Sequence, residues 1–430
     1  MLPTFISSAL RNNRFYKMYK QNKAKVALSI YNNPAKDMFV IGITGTNGKT
    51  TTSFIIHHIF NTLVDKTFLM GTNEIKYGNE SEENVSKMTS PDPMEIQQRL
   101  SQAREKWCKI AVLEVASHGL QQQRFYGIEF DMAILTNITE EHLDYHKTMD
   151  DYAMTKKQLF LEIINNSKPN KLAIFPKDDK YGKKRSEELY FDKMMTYGII
   201  SSWSVKAENI QYKVDHTAFD INYMGQIYPI TTKMVGMHNV YNIITAITAG
   251  LIIGLDMNQM ITALETLIPP LWRMETIVHN NIHYFIDFAH TPDGLEKTLS
   301  FLTQIKEWWR VIVLTWAMGD RDRFKRPLMG KIADQYADII VLADEDPGDE
   351  DRMQIIQEIK NGIRRIDGDN LFIIPDRELA IKFITEITQP GDLVLLAGKG
   401  HERVMCIPGG RIPWDERALV EKYLNNKKQP

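Results

Sequence analysis

The chain has 430 residues, of which 43% are hydrophobic and 25% charged, and this excludes a single small domain and a disordered chain. Its 52 basic and 54 acidic residues give a formal charge of −2, which argues against bulk electrostatic binding to nucleic acid. Cys108 and Cys406 have neither metal-ligand spacing nor disulfide density, so reduced thiols are expected. Because the sequence also shows no secretory signal and no apolar run near the roughly 20 residues that cross a bilayer, we predict a cytoplasmic protein.

Residues 1–37 carry recurrent basic side chains between Arg11 and Lys25, among scattered apolar positions. This pattern predicts one or two basic helices with no core of their own. A surface helix packed on the following domain is the simplest interpretation. A weak contact with a membrane surface or a partner protein is the alternative, because basic amphipathic helices bind such surfaces.

From Met38 onward, short apolar runs alternate with helical periods, which is typical of a parallel sheet with crossover helices. The predicted strands are Phe39–Thr44, Phe68–Gly71, Ile110–Val115 and Met132–Thr136, and the predicted helices lie near 50–64, 93–105 and 150–163. Residues 203–235 alternate with period two and predict a small antiparallel excursion, after which helices return at 239–253 and 257–266.

A second α/β pattern follows Pro269 and Pro270. Its predicted strands lie near 282–287, 310–315, 338–343, 371–374 and 392–396. We therefore predict a short basic segment (1–38), a central domain (39–275) and a C-terminal domain (276–430).

A glycine-rich segment runs from Ile41 to Thr52, between a predicted strand and a predicted helix. Its glycines let backbone N–H groups face a polyphosphate, the helix N-terminus adds positive charge, and a lysine and a hydroxyl follow for the outer phosphates and magnesium. The general P-loop pattern has Gly where Ile43 stands here. The residues predicted to contact phosphate are Gly45, Thr46, Asn47, Gly48, Lys49, Thr50 and Thr51.

The residue sequence of this loop resembles the Mur ligase superfamily, and further segments follow in the order found in its MurE-type, UDP-MurNAc-tripeptide synthetase branch. The segments that carry the resemblance are Thr89–Pro93, Glu114–His118, Thr136–His146, Tyr152–Lys156, Gly236–Asn242, Arg273–Glu275, Asp287–Asp293, Gly319–Asp322, Lys325–Pro327 and Gly398–Glu402. They extend over about residues 39–415. The resemblance implies an α/β fold with a P-loop central domain, a mainly parallel sheet and a Rossmann-like C-terminal domain.

The resemblance further implies ATP-dependent joining of an amino acid to a carboxylate, with Mg²⁺ as cofactor. Lys49 would bind the phosphates, and Thr50, Glu114 and His142 would hold magnesium. Lys156 matches the lysine that family members carbamylate, giving N6-carboxylysine as a further metal ligand. Taken alone, Glu114 also fits a helix-capping carboxylate, His142 a core histidine and Lys156 a surface lysine.

Other site residues follow from the same resemblance. Asn239, Asn242, Arg273, Asp287 and His290 would contact the nucleotide. Thr89, Ser90, Ser117 and His118 would face the acceptor, whereas Asp346 and Glu402 would face the incoming amino acid. Arg321, Asp322, Lys325 and Arg326 fit this site and a surface ion-pair network equally well.

The sequence departs from the family pattern in two places. About forty residues precede the phosphate loop, too few for the uridine-binding domain of members that use a UDP-linked acceptor. Gly348 stands where diaminopimelate-adding members carry an arginine for a second carboxylate, so the acidic surroundings favour a cationic side chain such as lysine. Bulkier residues also stand near the site, at Trp272, Trp316 and Phe324, and Ala116 replaces a serine.

We therefore predict an amide ligase that acts through an acyl phosphate and adds an amino acid, basic in our interpretation, to a muramyl-peptide-like acceptor for the cell wall. We expect a monomer that acts on small-molecule substrates. The same chemistry on another acceptor, such as an envelope precursor or a folylpolyglutamate-like molecule, is one alternative. A non-catalytic ATP-binding subunit is the other.

Overall fold

The computed structural model describes residues 14–84, 86, 88–141, 143–200, 204–268, 274–306, 308–319, 323–400 and 402–426. Their contacts form two compact units. The first contains the chain up to Ile210 with Ala218–Thr232 and His238–Leu267, and the second contains Gln211–Thr217, Lys233–Met237 and the chain from Ile268 onward.

The first part of the chain alternates strands and helices. Its elements are α1 (Arg14–Ile30), β1 (Phe39–Thr44), α2 (Lys49–Leu63), β2 (Thr67–Met70), β3 (Glu74–Tyr77), β4 (Glu80–Glu83), α3 (Pro93–Glu105), β5 (Ile110–Glu114), α4 (Ser117–Gln121), β6 (Met132–Leu135), α5 (Leu143–His146), α6 (Met149–Asn165), β7 (Leu172–Pro176), α7 (Lys180–Glu188), β8 (Lys193–Gly198), β9 (Val205–Tyr212), β10 (Thr217–Tyr223), β11 (Gln226–Thr232), α8 (Met237–Ile252) and α9 (Met257–Glu265). Within the described residues, their strands form one sheet in the order β11-β10-β9-β8-β7-β6-β1-β5-β2-β3-β4.

Strand β1 lies inside this sheet, parallel to β5 on one side and to β6 on the other. Its residues are almost entirely buried, as a strand covered on both faces requires. The chain leaves its carboxyl end directly into the glycine-rich segment. In such sheets ligands bind outside the carboxyl ends of the strands, so this topology places the phosphate loop at a ligand-binding edge.

The sheet also contains strands that the sequence did not reveal. Strands β3 and β4 form an antiparallel hairpin, and β4 is fully exposed with three glutamates in four residues. A charged edge strand has no apolar alternation to reveal it and protects the sheet edge from pairing with another chain. Strands β10 and β11 are joined by only two residues and must therefore run antiparallel, as predicted for residues 203–235.

Helix α1 packs on the first unit. Ala24 and Ala27 are buried, and Lys23 forms an ion pair of 2.6 Å with Asp92 at the start of α3. Leu28 fills the space above Gly127, where a β-carbon would lie 2.6 Å from its methyl group. The basic segment thus has a described helical part that lies on the surface of this unit.

The second unit has its own sheet. Its elements are β12 (Glu275–His279), β13 (Ile282–Asp287), α10 (Pro292–Ile305), β14 (Val311–Thr315), α11 (Lys325–Tyr336), β15 (Ile339–Leu342), α12 (Arg352–Lys360), β16 (Leu371–Ile373), α13 (Arg377–Ile387), β17 (Leu393–Ala397), β18 (Val404–Ile407), β19 (Gly410–Pro413) and α14 (Glu416–Asn426). Among the described residues the strand order is β12-β13-β17-β14-β15-β16, and all neighbours except β12 and β13 are parallel. Apolar clusters cover both faces.

None of the helices in the described ranges combines the length and the apolar character that a membrane span needs. Cys108 is buried, Cys406 is partly buried, and both are free thiols.

Candidate active site

The phosphate loop connects β1 to α2, and two of its glycines need backbone angles that other residues rarely adopt. Gly45 has φ 147° and Gly48 has φ 84°. A β-carbon on Gly45 would lie 1.8 Å from Oγ1 of Thr136, and one on Gly48 would lie 2.5 Å from Oδ1 of Asn242. Only glycine fits either position.

The loop is braced by the segment that follows β6. The backbone amide of Thr46 donates to the carbonyl of Asn137 (2.8 Å), and that of Asn47 donates to Oδ1 of Asn137 (2.9 Å). The hydroxyl of Thr136 donates to the carbonyl of Asn47 (2.7 Å). These bonds fix the loop before any ligand binds, which is the preorganisation that catalysis requires.

Glu114 ends β5 beside the loop and is completely buried. Its carboxylate accepts hydrogen bonds from Oγ1 of Thr50 (2.9 Å), Oγ of Ser53 (3.3 Å), and both the amide and the hydroxyl of Thr72 (3.0 Å each). Burial raises the pKa of the Glu114 carboxyl above its usual range, while the charge of Lys49 acts in the opposite direction. A buried carboxylate facing hydroxyl groups is an oxygen-rich site of the kind that Mg²⁺ prefers.

Two lysines converge on one carbonyl oxygen of the loop. Nζ of Lys49 lies 2.9 Å from the carbonyl oxygen of Gly45 and 2.8 Å from that of Thr46, and Nζ of Lys156 lies 2.7 Å from that of Gly45. Lys156 is buried, and desolvation followed by repulsion from Lys49 holds its pKa well below the usual lysine range. Its ammonium also lies 4.3 Å from the centre of the Tyr152 ring.

Asn239 and Asn242 lie in the first turns of α8, and both are buried. Oδ1 of Asn242 accepts from Oγ1 of Thr52 (3.2 Å), and Nδ2 of Asn242 donates to Oδ1 of Asn239 (3.1 Å). The pair therefore lies against the phosphate loop and the first turn of α2. Thr51 is buried in that turn.

The residues predicted to face the acceptor lie next to Glu114. Oγ1 of Thr89 lies 2.9 Å from Oγ1 of Thr72, and the Ser90 hydroxyl donates to the carbonyl of Glu114 (3.2 Å). Ser117 lies 2.9 Å from Nε2 of His146, and the ring of His118 lies 3.9 Å from that of Tyr145. Two neighbours of these residues were given no role: Thr72 belongs to no motif, and His146 ends the Thr136–His146 segment without an assigned function.

In the second unit, Asp287 and His290 are located at the carboxyl end of β13. Oδ2 of buried Asp287 accepts from the amide of Met274 (2.9 Å), and its carbonyl accepts from the amide of Gly398 (2.8 Å). His290 lies 2.8 Å from the carbonyl of Phe288 through Nδ1.

Asp346 and Glu402, the residues predicted for the incoming amino acid, share one partner that sequence reasoning did not assign. Nζ of Lys399 lies 2.9 Å from both carboxylate oxygens of Asp346 and 2.7 Å from Oε2 of Glu402. Gly348 has φ 59°, a backbone conformation that favours glycine.

The sequence fitted two roles equally well for Lys325 and Arg326, a part in the site and a part in a surface ion-pair network. The Arg326 side chain is fully buried and pairs with Glu350 (2.9 Å) and Glu358 (2.6 Å), whereas Lys325 donates to the carbonyl of His290 (3.0 Å). Arg326 is therefore part of an ion-pair network that includes the 344–350 loop. Other predicted site residues lie outside the described residues: His142, Arg273, Arg321 and Asp322, together with Trp272.

The comparisons with known proteins bear on both units. The model of the Mur ligase middle domain matches residues 43–250, and that of the Mur ligase glutamate ligase domain matches residues 272–400. A UDP-N-acetylmuramoyl-L-alanyl-D-glutamate–2,6-diaminopimelate ligase of Geobacillus thermodenitrificans is 36% identical over 408 residues, which are 94% of this chain and 82% of that protein. The chain belongs to the Mur ligase family.

Solved structures agree with this assignment. The structure of another UDP-N-acetylmuramoyl-L-alanyl-D-glutamate–2,6-diaminopimelate ligase aligns with a TM-score of 0.66 and 28% identity, over 96% of this chain and 83% of that chain. Folylpolyglutamate synthase of Mycobacterium tuberculosis aligns with a TM-score of 0.70 and 16% identity, over 91% of this chain and 96% of that chain, which shows a shared fold alone.

Mur ligases are ATP-dependent enzymes that form amide bonds, and they use Mg²⁺. The donor set of this Mur ligase fits that ion, since the Glu114 carboxylate and the Thr50 hydroxyl lie 2.9 Å apart at the phosphate loop. The glycine-rich loop with Lys49 fits a polyphosphate.

Proposed function

We propose that this Mur ligase activates a carboxylate of a muramyl-peptide-like acceptor with ATP and then joins it to an amino acid whose side chain is cationic. The observation that carries this proposal is the convergence of Lys49, Lys156 and Glu114 at one phosphate loop, with the proposed acceptor residues beside it. Transfer of the γ-phosphoryl group gives an acyl phosphate and ADP. Attack by the amine then gives the amide and releases phosphate.

The loop residues overcome the first difficulty of this reaction, which is the approach of two anions. The start of α2 and the Lys49 ammonium provide positive charge at the phosphates, whereas the amides of Thr46 and Asn47 brace the loop. Thr50, Glu114 and His142 would hold Mg²⁺, which neutralises charge on the phosphates when bound.

Lys156 is proposed to be N6-carboxylated. Its neutral amine would add to carbon dioxide and lose a proton, which gives an anionic carbamate that serves as a further magnesium ligand. Burial and the neighbouring Lys49 both favour the neutral amine that this reaction needs. The carbamate would also give Lys49 a neighbour of opposite charge in place of an amine whose protonated form repels it.

The remaining predicted residues divide by their neighbours. We assign Asn239 and Asn242 to the nucleotide, since Asn242 lies against Gly48 and Thr52. The other nucleotide contacts that we propose are Arg273, Asp287 and His290.

The amine and the acceptor would use two different groups of residues. Thr89, Ser90, Ser117 and His118 would hold the acceptor, because they adjoin Glu114 or its neighbours. Asp346 and Glu402 would hold the amino acid. They already share Lys399, but the cluster around them has four carboxyl groups for two cations, which favours a cationic side chain, and Gly348 offers no cation for a second carboxylate.

The test is phosphate release from Mg·ATP with a matrix of acceptors and amines. The acceptors are UDP-MurNAc-dipeptide, its UDP-free form and a folate glutamate, and the amines are lysine, ornithine and diaminopimelate. We expect turnover with a muramyl dipeptide as acceptor, and faster turnover with lysine or ornithine than with diaminopimelate. Lys49→Ala should lose this turnover, whereas the exposed control Lys36→Ala should keep the wild-type rate. Preference for the folate glutamate would refute the acceptor assignment, and turnover unchanged in Lys49→Ala would refute the mechanism.

A further inference from the structure

A fully buried lysine lies at the centre of three carboxylates in the second unit. The side chain of Lys399 has no solvent exposure, and its Nζ contacts Asp346 at 2.9 Å, Glu402 at 2.7 Å and Glu345 at 3.7 Å. Burying an ammonium is costly unless it is paired with good geometry. Here the pairing is close to complete, so this lysine is part of a built cluster.

The three carboxylates by themselves have the geometry of a metal site. One oxygen from each of Glu345, Asp346 and Glu402 lies within 4.8 Å of the others, close enough to surround one ion. Carboxylate oxygens are the ligands that Ca²⁺, Mg²⁺ and Mn²⁺ prefer. The Lys399 ammonium occupies the place that such an ion would need.

Glu345 is the least compensated carboxyl group of the cluster, and burial raises its pKa well above the usual range. Neither carboxylate oxygen of Glu345 has a hydrogen-bond partner within the described part of the chain, although both are buried. Its second cation, Arg377, is 3.5 Å away and binds Glu416 at 2.5 Å. Two cations thus face four carboxyl groups, and removal of Lys399 would leave Asp346 and Glu402 without the ammonium that they share.

Lys399 also connects two segments of the fold. Asp346 lies in the loop after β15 and has φ 43°, a left-handed backbone angle that residues other than glycine rarely adopt. Glu402 follows β17. One ammonium therefore fixes two carboxylates that belong to different strand ends.

We propose that Lys399 is a built-in counter-ion that keeps divalent metal out of this carboxylate cluster and positions Asp346 and Glu402 for the amine of the substrate. Metal exclusion depends on the cluster alone. The positioning role rests on the proposed function.

The first experiment measures Ca²⁺ binding to the full chain without ATP, by calorimetry and by the Ca²⁺-dependent shift in Tm. We expect Lys399→Met to gain one Ca²⁺ site, at least about tenfold tighter than any binding in the wild type, because Asp346 and Glu402 lose their shared cation and Glu345 loses one of its two. Lys399→Arg keeps the charge and should gain none, as should Lys422→Met, an exposed control. The double variant Lys399→Met/Glu345→Gln should lose the gained site.

Equal Ca²⁺ binding by Lys399→Met and the wild type would overturn metal exclusion. Ca²⁺ binding by the wild type that is lost in Glu402→Gln would overturn it as well. If Lys399→Met does not fold, Lys399→Gln replaces it in the Ca²⁺-binding experiment, with the same expected result. It removes the charge but keeps a polar head group.

The second experiment separates positioning from general stability. In Lys399→Arg we expect KM for the amino acid to rise about tenfold, with kcat and KM for ATP within about threefold of the wild type, because the longer planar group displaces both carboxylates. Equal rises in both KM values would refute positioning. A wild type without ligase activity would refute the proposed function and leave the Ca²⁺ result standing.

Discussion

Lys49 and Lys156 donate to the same atom, the carbonyl oxygen of Gly45, over 2.9 Å and 2.7 Å. Two ammonium groups on one oxygen repel each other, and Lys156 has no water to offset this repulsion because it is buried. The arrangement favours a neutral amine at Lys156 and leaves Lys49 as the cation for phosphate. Two residues of the same type are thereby prepared for different roles.

Lys156→Ala should lower the rate of ligation by at least roughly 100-fold, because a metal-site ligand is lost. Its neighbour Lys157 provides a matched control, since it forms a 3.3 Å ion pair with Glu188 at the surface. Lys157→Ala should retain the wild-type rate. Partial rescue of Lys156→Ala by formate or acetate would support the carbamate, and a wild-type rate without any added anion would exclude it. Mass spectrometry under carbon dioxide checks the modification directly.

Gly48→Ala should weaken ATP binding, because its β-carbon would lie 2.5 Å from Oδ1 of Asn242. Gly225 is the control, since it has a similar φ of 81° but open space at the β-carbon. Gly225→Ala should cost about 1 kcal/mol in the free energy of unfolding, which reflects the left-handed backbone, and Gly48→Ala should cost more because its β-carbon also contacts Asn242. Only Gly48→Ala should raise KM for ATP, by about tenfold or more. A similar KM in both variants would show that the contact with Asn242 has no effect on the nucleotide.

Glu114→Gln should abolish ligation and yet stabilise the protein at neutral pH in EDTA without ATP. Because burial raises the pKa of Glu114, the folded state binds more protons than the unfolded state above the ordinary carboxyl range near 4.5. Wild-type stability should therefore fall relative to the glutamine variant as pH rises through the raised pKa. Urea denaturation of both proteins at several pH values checks this. Parallel pH profiles would contradict the buried, proton-binding carboxyl.

Arg377→Met should destabilise the second unit by about 3–5 kcal/mol, because it leaves the buried Glu416 and Glu345 without their shared cation. Lys382 forms an exposed i,i+4 pair of 3.9 Å with Glu386, so Lys382→Ala should change the free energy of unfolding by less than about 0.5 kcal/mol. Denaturant titration monitored by tryptophan fluorescence measures both. Comparable losses would mean that burial does not distinguish the two ion pairs.

The regular elements around the site were predictable because their patterns are local. Strand β1 and helix α3 have the predicted bounds, and α3 begins where Asp92 caps the amide of Met94 (3.2 Å) and Pro93 fills the first turn. Strand β4 was not predictable, since its glutamates at an exposed edge carry no apolar period.

The sequence by itself determined the phosphate loop, the two α/β patterns and the family, because glycine spacing, periodicity and motif order are properties of neighbouring residues. Only the tertiary structure decided which groups far apart in the chain come into contact. Lys156 meets Gly45 across 111 positions, and Lys399 meets Asp346 across 53. Burial then sets the energy of each contact, because a polar interaction or ion pair that is weak in water becomes strong, and its loss costly, once water is excluded.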